Sequence, residues 1–185
     1  MDYSTNFSLL AFDQNDSLLP HERLVDGTLH LTGEQLRIDY RLHPTAQPVR
    51  WPEPSLSPSR LDGLWQHTCF ELFIAPNASS QYLEFNFSPS GDWNCYAFDA
   101  YREGATQAVE LDTLEVLAHS PTLRAQFCLP AGLKAYPVAQ WQIGITAVIE
   151  YASGDLDYAA LRHTAAKPDF HRRDSFCLDL SRLTP

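Results

Sequence analysis

The chain is 185 residues long and carries 13 basic against 23 acidic side chains, a formal net charge of −10. This length is enough for one hydrophobic core, so we expect a single domain over residues 1–185. The negative charge argues against a nucleic-acid partner, because binding to phosphates depends on basic side chains. The longest uncharged stretch, Ala135–Ile149, is too short for a membrane-spanning helix.

The N-terminal segment and the cysteines indicate a cytoplasmic protein. No basic residue precedes Arg23, so the charged start of a secretory signal is missing. The four cysteines form no C-x-x-C pair, which is the usual spacing of a zinc or redox site. We therefore expect reduced thiols, no metal and no cofactor.

Alternating apolar and polar residues are the main pattern along the chain, and this alternation is typical of half-buried β-strands. In chain order the predicted strands are Phe7–Phe12, Leu36–Leu42, Cys69–Ala75, Gln81–Ser88, Trp93–Tyr101, Leu123–Leu129, Trp141–Glu150 and Phe176–Leu180. Little helix is predicted, with one turn at Leu129–Ala135 and an undecided segment at Gln107–Leu117. The proline-rich segment His43–Arg60 is predicted to be a long loop. These elements together predict an all-β fold, an antiparallel β-sandwich.

The stretch from Leu64 to Gly104 predicts a meander of three antiparallel strands. If Phe70 lies opposite Phe85, the large apolar residues of the first two strands collect on one face. The same register places Glu71 directly opposite Glu84 on the other face. Two facing carboxylates repel each other unless a proton, an arginine, a cation or ligand hydroxyl groups offset the repulsion. This face is therefore predicted either to bind a ligand or to form a buried polar network.

The third strand of the meander is predicted to pair Tyr96 with Phe85 on the apolar face. In that register Asn86 and Trp93 join the two glutamates on the polar face. Carboxylates, an amide and an indole ring are together sufficient to bind a polar ligand.

Three parts of the sequence resemble the DOMON-like proteins, which are related to family 9 carbohydrate-binding modules. The matching runs are Leu64–Ile74, Tyr82–Gly91 with Trp93, Tyr96 and Tyr101–Gly104, and the tail segments Ala160–His163, Lys167–His171 and Ser175–Phe176. The tail is similar to the end of a small bacterial family within that group. This resemblance implies a β-sandwich with jelly-roll character.

The resemblance also implies what such a fold could bind. Its relatives bind sugars, often between two tryptophans and beside calcium, or bind haem. Met1 is the only methionine, so haem ligation by an internal methionine is excluded, whereas ligation by histidine stays open. No D-x-D-x-D loop is present for calcium.

The predicted function is non-catalytic binding of a carbohydrate or a similar polyol. The candidate ligand-binding residues are Trp65, Trp93 and Trp141 as an apolar platform, and Glu71, Glu84, Asn86 and Arg102 as hydrogen-bonding groups. Of the tryptophans, Trp141 is also the strongest candidate for a core residue, because it opens an apolar strand.

Two alternatives stay open at this point. In the first, the polar face is covered by a partner or by the proline-rich loop, and the chain is a structural or interaction domain. In the second, Glu71 and Glu84 lie about 5 Å apart and act as the dyad of a retaining glycoside hydrolase.

Overall fold

The computed structural model describes residues 2–13, 22–106, 111 and 114–180. Its strands are β1 (Asp2–Ala11), β2 (Arg23–Thr32), β3 (Gln35–Leu42), β4 (Cys69–Pro76), β5 (Tyr82–Phe87), β6 (Trp93–Phe98), β7 (Leu114–His119), β8 (Thr122–Cys128), β9 (Trp141–Glu150), β10 (Leu156–Ala160) and β11 (Leu178–Asp179). A single helical turn, α1, covers Ala131–Lys134, and short 3-10 helices cover Leu64–Gln66, Val138–Gln140 and Arg173–Ser175. Strands dominate, so the all-β prediction is confirmed.

The predicted strands correspond to strands of the structure, although several ends differ. Trp141–Glu150 is β9 at both ends, whereas Phe176–Leu180 shrinks to the two residues of β11. Sequence reasoning missed β2 and β10 and left β7 undecided. Strict alternation fails in these segments, because β2 contains an Asp-Gly pair and β10 is short and rich in alanine. Of the undecided segment, residues 107–110 and 112–113 lie outside the described part of the chain.

The strands form one antiparallel sheet that is nearly closed as a barrel. Its order is β6-β5-β4-β9-β10-β1-β2-β3-β8-β7, and β11 pairs with the first part of β9. The sheet curves so that its two ends face each other across the core. Phe85 on β5 stacks on Phe127 of β8 with ring centroids 4.4 Å apart. The ring centroids of Tyr40 on β3 and Phe70 on β4 are 5.0 Å apart.

Alternate residues of β6, β5, β4, β9 and β10 point away from this core, and we call the surface that they form the outer face. A second group of buried aromatic residues lies there, separate from the main core. It consists of Phe73, Tyr82, Tyr96, Phe98 and Phe176, with Ala75 among them and Phe170 packed against it. The outer face therefore has an apolar cluster of its own, which holds the C-terminal segment against the sheet.

The register of β4 and β5 differs from the predicted one by two residues. Phe70 pairs with Phe87, so Glu71 lies opposite Asn86 and is a diagonal neighbour of Glu84. An even shift keeps every side chain on its face, since side chains alternate with a period of two. The two glutamates therefore share one face, as the sequence predicts, but they are not directly opposed.

The register of β5 and β6 differs from the predicted one by one residue. This shift moves each side chain of β6 to the face opposite the predicted one, so some lie on the outer face and the others on the inner face, which faces the core. Tyr96 lies opposite Glu84 on the outer face, whereas Trp93 lies opposite Phe87 on the inner face. The turn causes the difference, because the amide of Ser88 donates to the carbonyl of Asp92 at 2.9 Å. Loop length fixes hairpin register, and this contact closes a three-residue loop.

Candidate functional site

A cleft of about 400 Å³ opens on the outer face. Its lining residues are Trp65, Glu71, Glu84, Tyr96, Phe98, Arg102, Ala105, Val148, Tyr158, Pro168, Phe170 and His171. Five neighbouring strands supply part of the lining, and the rest comes from segments that are distant in the sequence. The site therefore exists only after the C-terminal segment has folded back over β4 and β5.

Two buried carboxyl groups form the centre of the floor. The exposed fraction is 3% for Glu71 and 6% for Glu84. The hydroxyl of Thr146, on the adjacent strand β9, donates to Glu71 Oε2 at 2.8 Å. The amide of Asn86 donates to Glu84 Oε1 at 2.7 Å, so Asn86 supports the floor from within. Each glutamate is thus oriented through one of its two oxygens.

Both carboxyl groups hold their protons more strongly than an ordinary glutamate. Burial raises the pKa of Glu71 to about 8, and the nearby Glu84 contributes to the rise. Burial also raises the pKa of Glu84, to about 7, although the Asn86 amide and the Arg102 guanidinium act in the opposite direction. Burial penalises the charged form of an acid, and a second carboxylate nearby adds to that penalty. At neutral pH the pair therefore keeps at least one proton, whereas two exposed glutamates would have lost both.

Trp65 and Tyr96 form one aromatic wall. Their rings meet edge to face with centroids 5.9 Å apart, and 43% of Trp65 is exposed. The Tyr96 hydroxyl donates to Asp62 Oδ1 at 2.6 Å, and the Asn94 amide donates to both groups. This network fixes the Tyr96 ring, so the wall is rigid on one side and open to solvent at the indole.

The 3-10 helix that carries Trp65 is tied to the sheet by Glu150, at the end of β9. Glu150 is buried, and its two oxygens lie 2.5 Å from Arg50 Nη1 and 2.8 Å from His67 Nδ1. One carboxylate thus anchors both the proline-rich loop and the residues that follow Trp65. No residue of the proline-rich loop is among those that line the cleft.

The second wall is the segment 168–171, which we call the C-terminal strap. Its His171 lies with Nδ1 2.8 Å from the Tyr82 hydroxyl and Nε2 3.7 Å from Glu84 Oε2. Burial lowers the pKa of His171 to about 4, and the charge of Arg102 contributes. The imidazole is therefore neutral at neutral pH and does not compensate the glutamates.

Arg102 links the loop after β6 to the strap. Its guanidinium donates to Asp169 Oδ1 at 3.0 Å, and the Tyr101 hydroxyl donates to Asp169 Oδ2 at 2.6 Å. The backbone of Arg102 has φ of 56°, which is unusual for a residue other than glycine. That conformation aims its N–H at the Tyr82 hydroxyl, 3.2 Å away. A strained residue that makes two such contacts is typical of a constrained site.

Phe176 anchors the strap by packing over Gly144 in the middle of β9. A Cβ added at Gly144 would lie 2.7 Å from Phe176 Cδ1, closer than real contacts allow. The C-terminal segment can therefore approach the sheet only because β9 has a glycine at this position.

We expect Gly144→Ala to lower the free energy of unfolding by about 1–3 kcal/mol, because the Phe176 ring must move away from the sheet. Urea unfolding measures the loss. Gly132→Ala is the matched control, because nothing lies within 4 Å of the added Cβ and α1 tolerates alanine. Equal stability of the two variants would contradict the close packing of Phe176.

The structure brings some of the predicted site residues together and separates others. Trp65, Glu71, Glu84 and Arg102 line the cleft, and Asn86 lies beneath it as the partner of Glu84.

Two predicted tryptophans lie elsewhere, and their assignment to the site is corrected. Trp93 packs against the inner core, with the Arg60 guanidinium 4.7 Å from its ring, because the register of β6 is shifted by one residue. Trp141 is a buried core residue on the inner face of β9.

Sequence reasoning missed several aromatic residues and the histidine of the cleft, namely Tyr96, Phe98, Tyr158, Phe170 and His171. Tyr96 was placed on the wrong face by the one-residue shift. Phe170 and His171 belong to a tail motif in the sequence, but the motif does not indicate which part of the sheet the tail covers.

Comparison with protein-family models and with curated proteins finds no match for this chain. Among solved structures, the chain is similar to a Bacteroides uniformis protein described as a putative carbohydrate-binding protein. The TM-score is 0.56 with 13% sequence identity, and the match covers 94% of this chain and 84% of that one. The two chains share a fold. At this identity the likeness concerns the path of the chain and not the chemistry of the cleft.

Neither a metal site nor a membrane helix is found in the described residues. No group of three or more His, Cys, Asp or Glu side chains among them is arranged to hold a metal ion. In the same part of the chain, no helix has the length and apolar character needed to cross a membrane.

Proposed function

We propose that the cleft on the outer face binds a small carbohydrate or similar polyol without catalysing a reaction. The observation that carries the proposal is the pair of buried carboxyls, Glu71 and Glu84, at the floor of a cleft with aromatic walls. A sugar ring has apolar faces that pack on aromatic rings and hydroxyl groups that need hydrogen-bonding partners. The cleft offers both kinds of contact within a few ångströms.

The size of the cleft and the exposure of Trp65 support this proposal. Its volume of about 400 Å³ falls in the range of small-molecule sites, roughly 300–1,000 Å³. The exposed indole at its edge can serve as a platform for one face of a sugar ring. An accessible cleft favours binding over the alternative in which this face is covered.

The fold likeness supports the same assignment at a coarser level. The Bacteroides uniformis protein shares the fold and is described as carbohydrate-binding. We propose that the present chain is a DOMON-like protein whose curved sheet is a jelly-roll sandwich, and that it acts in the cytoplasm. The sequence runs that resemble that family include Trp65, both glutamates of the floor and the residues of the strap.

The hydrolase alternative is based on two glutamates that lie directly opposite each other, and the register of β4 and β5 does not contain this pair. A retaining dyad requires two carboxyls about 5 Å apart on either side of the scissile bond. Glu71 and Glu84 are diagonal neighbours on one floor, and each is oriented by its own amide or hydroxyl donor. Turnover of aryl glycosides by the purified protein would revive that alternative.

Isothermal titration of the full chain against neutral monosaccharides and disaccharides tests the binding proposal. We expect saturable binding, and we expect Trp65→Ala to weaken it roughly tenfold or more by removing the platform, since stacking anchors dominate such sites. The same change is expected to cost little stability, because the indole is partly exposed.

The matched control is Tyr136→Ala, which removes another partly exposed aromatic side chain that lies outside the cleft. This variant should bind like the unmodified protein. If no sugar binds, or if both variants lose affinity equally, the cleft is not the proposed site.

A further inference from the structure

Negative charge dominates the groups that face the cleft. Glu71 comes from β4 and Glu84 from β5, while the cation of the lining is Arg102. The Arg102 guanidinium is paired with Asp169, which offsets most of its charge, and His171 is neutral because burial lowers its pKa to about 4. The remaining polar side chains of the lining are the phenols of Tyr96 and Tyr158. Near neutral pH the pair still holds at least one proton, so a ligand meets a floor with up to about one negative charge, and a cation would favour loss of the remaining proton.

Each glutamate also has an oxygen that the protein leaves without a hydrogen-bond donor. Among the described residues, the side-chain hydrogen bond to Glu71 comes from Thr146 at Oε2, so Oε1 lacks a protein donor. Glu84 Oε2 is 3.7 Å from His171 Nε2, which is too long for a hydrogen bond. Both residues line the cleft, so a ligand that enters it can supply the donor that the protein does not.

The aromatic walls would stabilise a cation between them. The rings of Trp65 and Tyr96 stand on one side of the cleft, and those of Phe98, Tyr158 and Phe170 complete the lining. The face of an aromatic ring attracts an ammonium group within about 6 Å of its centroid. Rings and unpartnered carboxyl oxygens together form a suitable environment for a protonated amine.

We infer that the sugar-like ligand of this cleft carries a protonated amino group, as an amino sugar does. The inference deepens the proposed function and rests on it. An ammonium group has three donors and a positive charge, whereas a neutral hydroxyl has one donor and no charge. It can donate to a free oxygen of Glu71 or Glu84 while the sugar ring packs on Trp65. A sugar acid or a sugar phosphate would be repelled by the same floor.

Calorimetric titration of the full chain with matched sugars tests this inference. The pairs are glucose with glucosamine, galactose with galactosamine, and mannose with mannosamine, near neutral pH. We expect the amine of at least one pair to bind roughly tenfold tighter or more than its neutral partner, because charge-assisted hydrogen bonds are the stronger kind. N-acetylglucosamine, which has lost the charge, should bind no better than glucose, and glucuronate should bind least.

The outcomes separate this inference from the proposed function. Neutral sugars that bind as tightly as their amines would overturn the amine preference and leave the sugar site standing. Ethanolamine that binds as tightly as the amino sugars, with no neutral sugar bound, would support the cation site and contradict the sugar. Silence from every probe would contradict both proposals.

Variants of the floor give a second measurement. Glu71→Gln and Glu84→Gln should each reduce the preference for the amine towards onefold, because each removes a carboxyl that can ionise against the ammonium group. Glu115→Gln is the matched control, since Glu115 is an exposed acid on β7, at the far end of the sheet order. A preference that survives both floor variants, with folding verified by circular dichroism, would contradict the inference.

Discussion

Replacing Phe85 with alanine is expected to lower the free energy of unfolding by about 3–5 kcal/mol, the usual cost of removing a buried aromatic side chain. Phe85 has no exposed surface and stacks on Phe127 with the ring planes 21° apart. These rings belong to β5 and β8, which lie near opposite ends of the sheet order. The cavity would therefore open where the curved sheet meets itself, and nearby strands cannot easily collapse into it.

Urea unfolding of single and double variants measures this effect. A double-mutant cycle with Phe127→Ala should give a coupling of about 0.5–1.5 kcal/mol, as expected for aromatic pairs in contact. Leu117→Ala, which truncates an exposed residue of β7, should change stability by less than about 0.5 kcal/mol. A similarly small loss for Phe85→Ala would show that the two faces of β5 are reversed.

The faces of the meander could be predicted from the sequence only up to the first turn. Shifting β4 against β5 by two residues exchanges one apolar pair for another, so Phe70 is satisfied by Phe85 or by Phe87. Pattern alone cannot distinguish these registers, and both keep Glu71 and Glu84 on one face. The face of the glutamates was therefore predictable, while their exact pairing was not.

The position of Trp93 was not predictable in the same way, because the hydrogen bond between Ser88 and Asp92 decides it. Both faces of β6 carry aromatic residues, so hydrophobicity fits either register. The hairpin closes with a three-residue loop. A loop longer or shorter by one residue would place each side chain of β6 on the opposite face of the sheet. Trp93 consequently packs inside, and Tyr96 takes its place at the cleft.

The walls of the site depend on long-range contacts that strand patterns do not encode. Phe170 and His171 reach the cleft only because the strap crosses the sheet and Phe176 packs on Gly144. Each of these residues has an ordinary local sequence. Their relation to Glu84, far away in the chain, follows from the fold as a whole.

Stability is expected to fall as the pH rises from 6.5 to about 8, and the two glutamates of the floor are the cause. In the folded protein the pKa is raised to about 8 for Glu71 and to about 7 for Glu84, from 4.5 in the absence of the fold. An acid whose pKa is raised by folding contributes its full stabilisation when the pH is below its pKa in the unfolded chain. This contribution is lost as the pH rises through its pKa in the folded protein. We expect a loss on the order of 2 kcal/mol across this window.

His171 makes stability fall as the pH decreases, and it does so in a lower pH range than the glutamates. Its pKa is lowered from 6.5 to about 4, so its contribution is present above 6.5 and is lost as the pH falls. Measurements above pH 6.5 therefore isolate the glutamates from the histidine.

Glu71→Gln should flatten the profile of stability against pH above 6.5. Glutamine keeps the shape and still accepts a hydrogen bond from the Thr146 hydroxyl. It cannot ionise, so the cost of a buried charge at this position disappears. Near pH 8 this variant should be as stable as the unmodified protein or more stable, whereas Glu115→Gln should keep the original slope. Urea unfolding at a series of pH values tests both expectations. A large loss of stability in Glu71→Gln would mean that its carboxylate is a structural partner, and the floor would then not be free to receive a ligand.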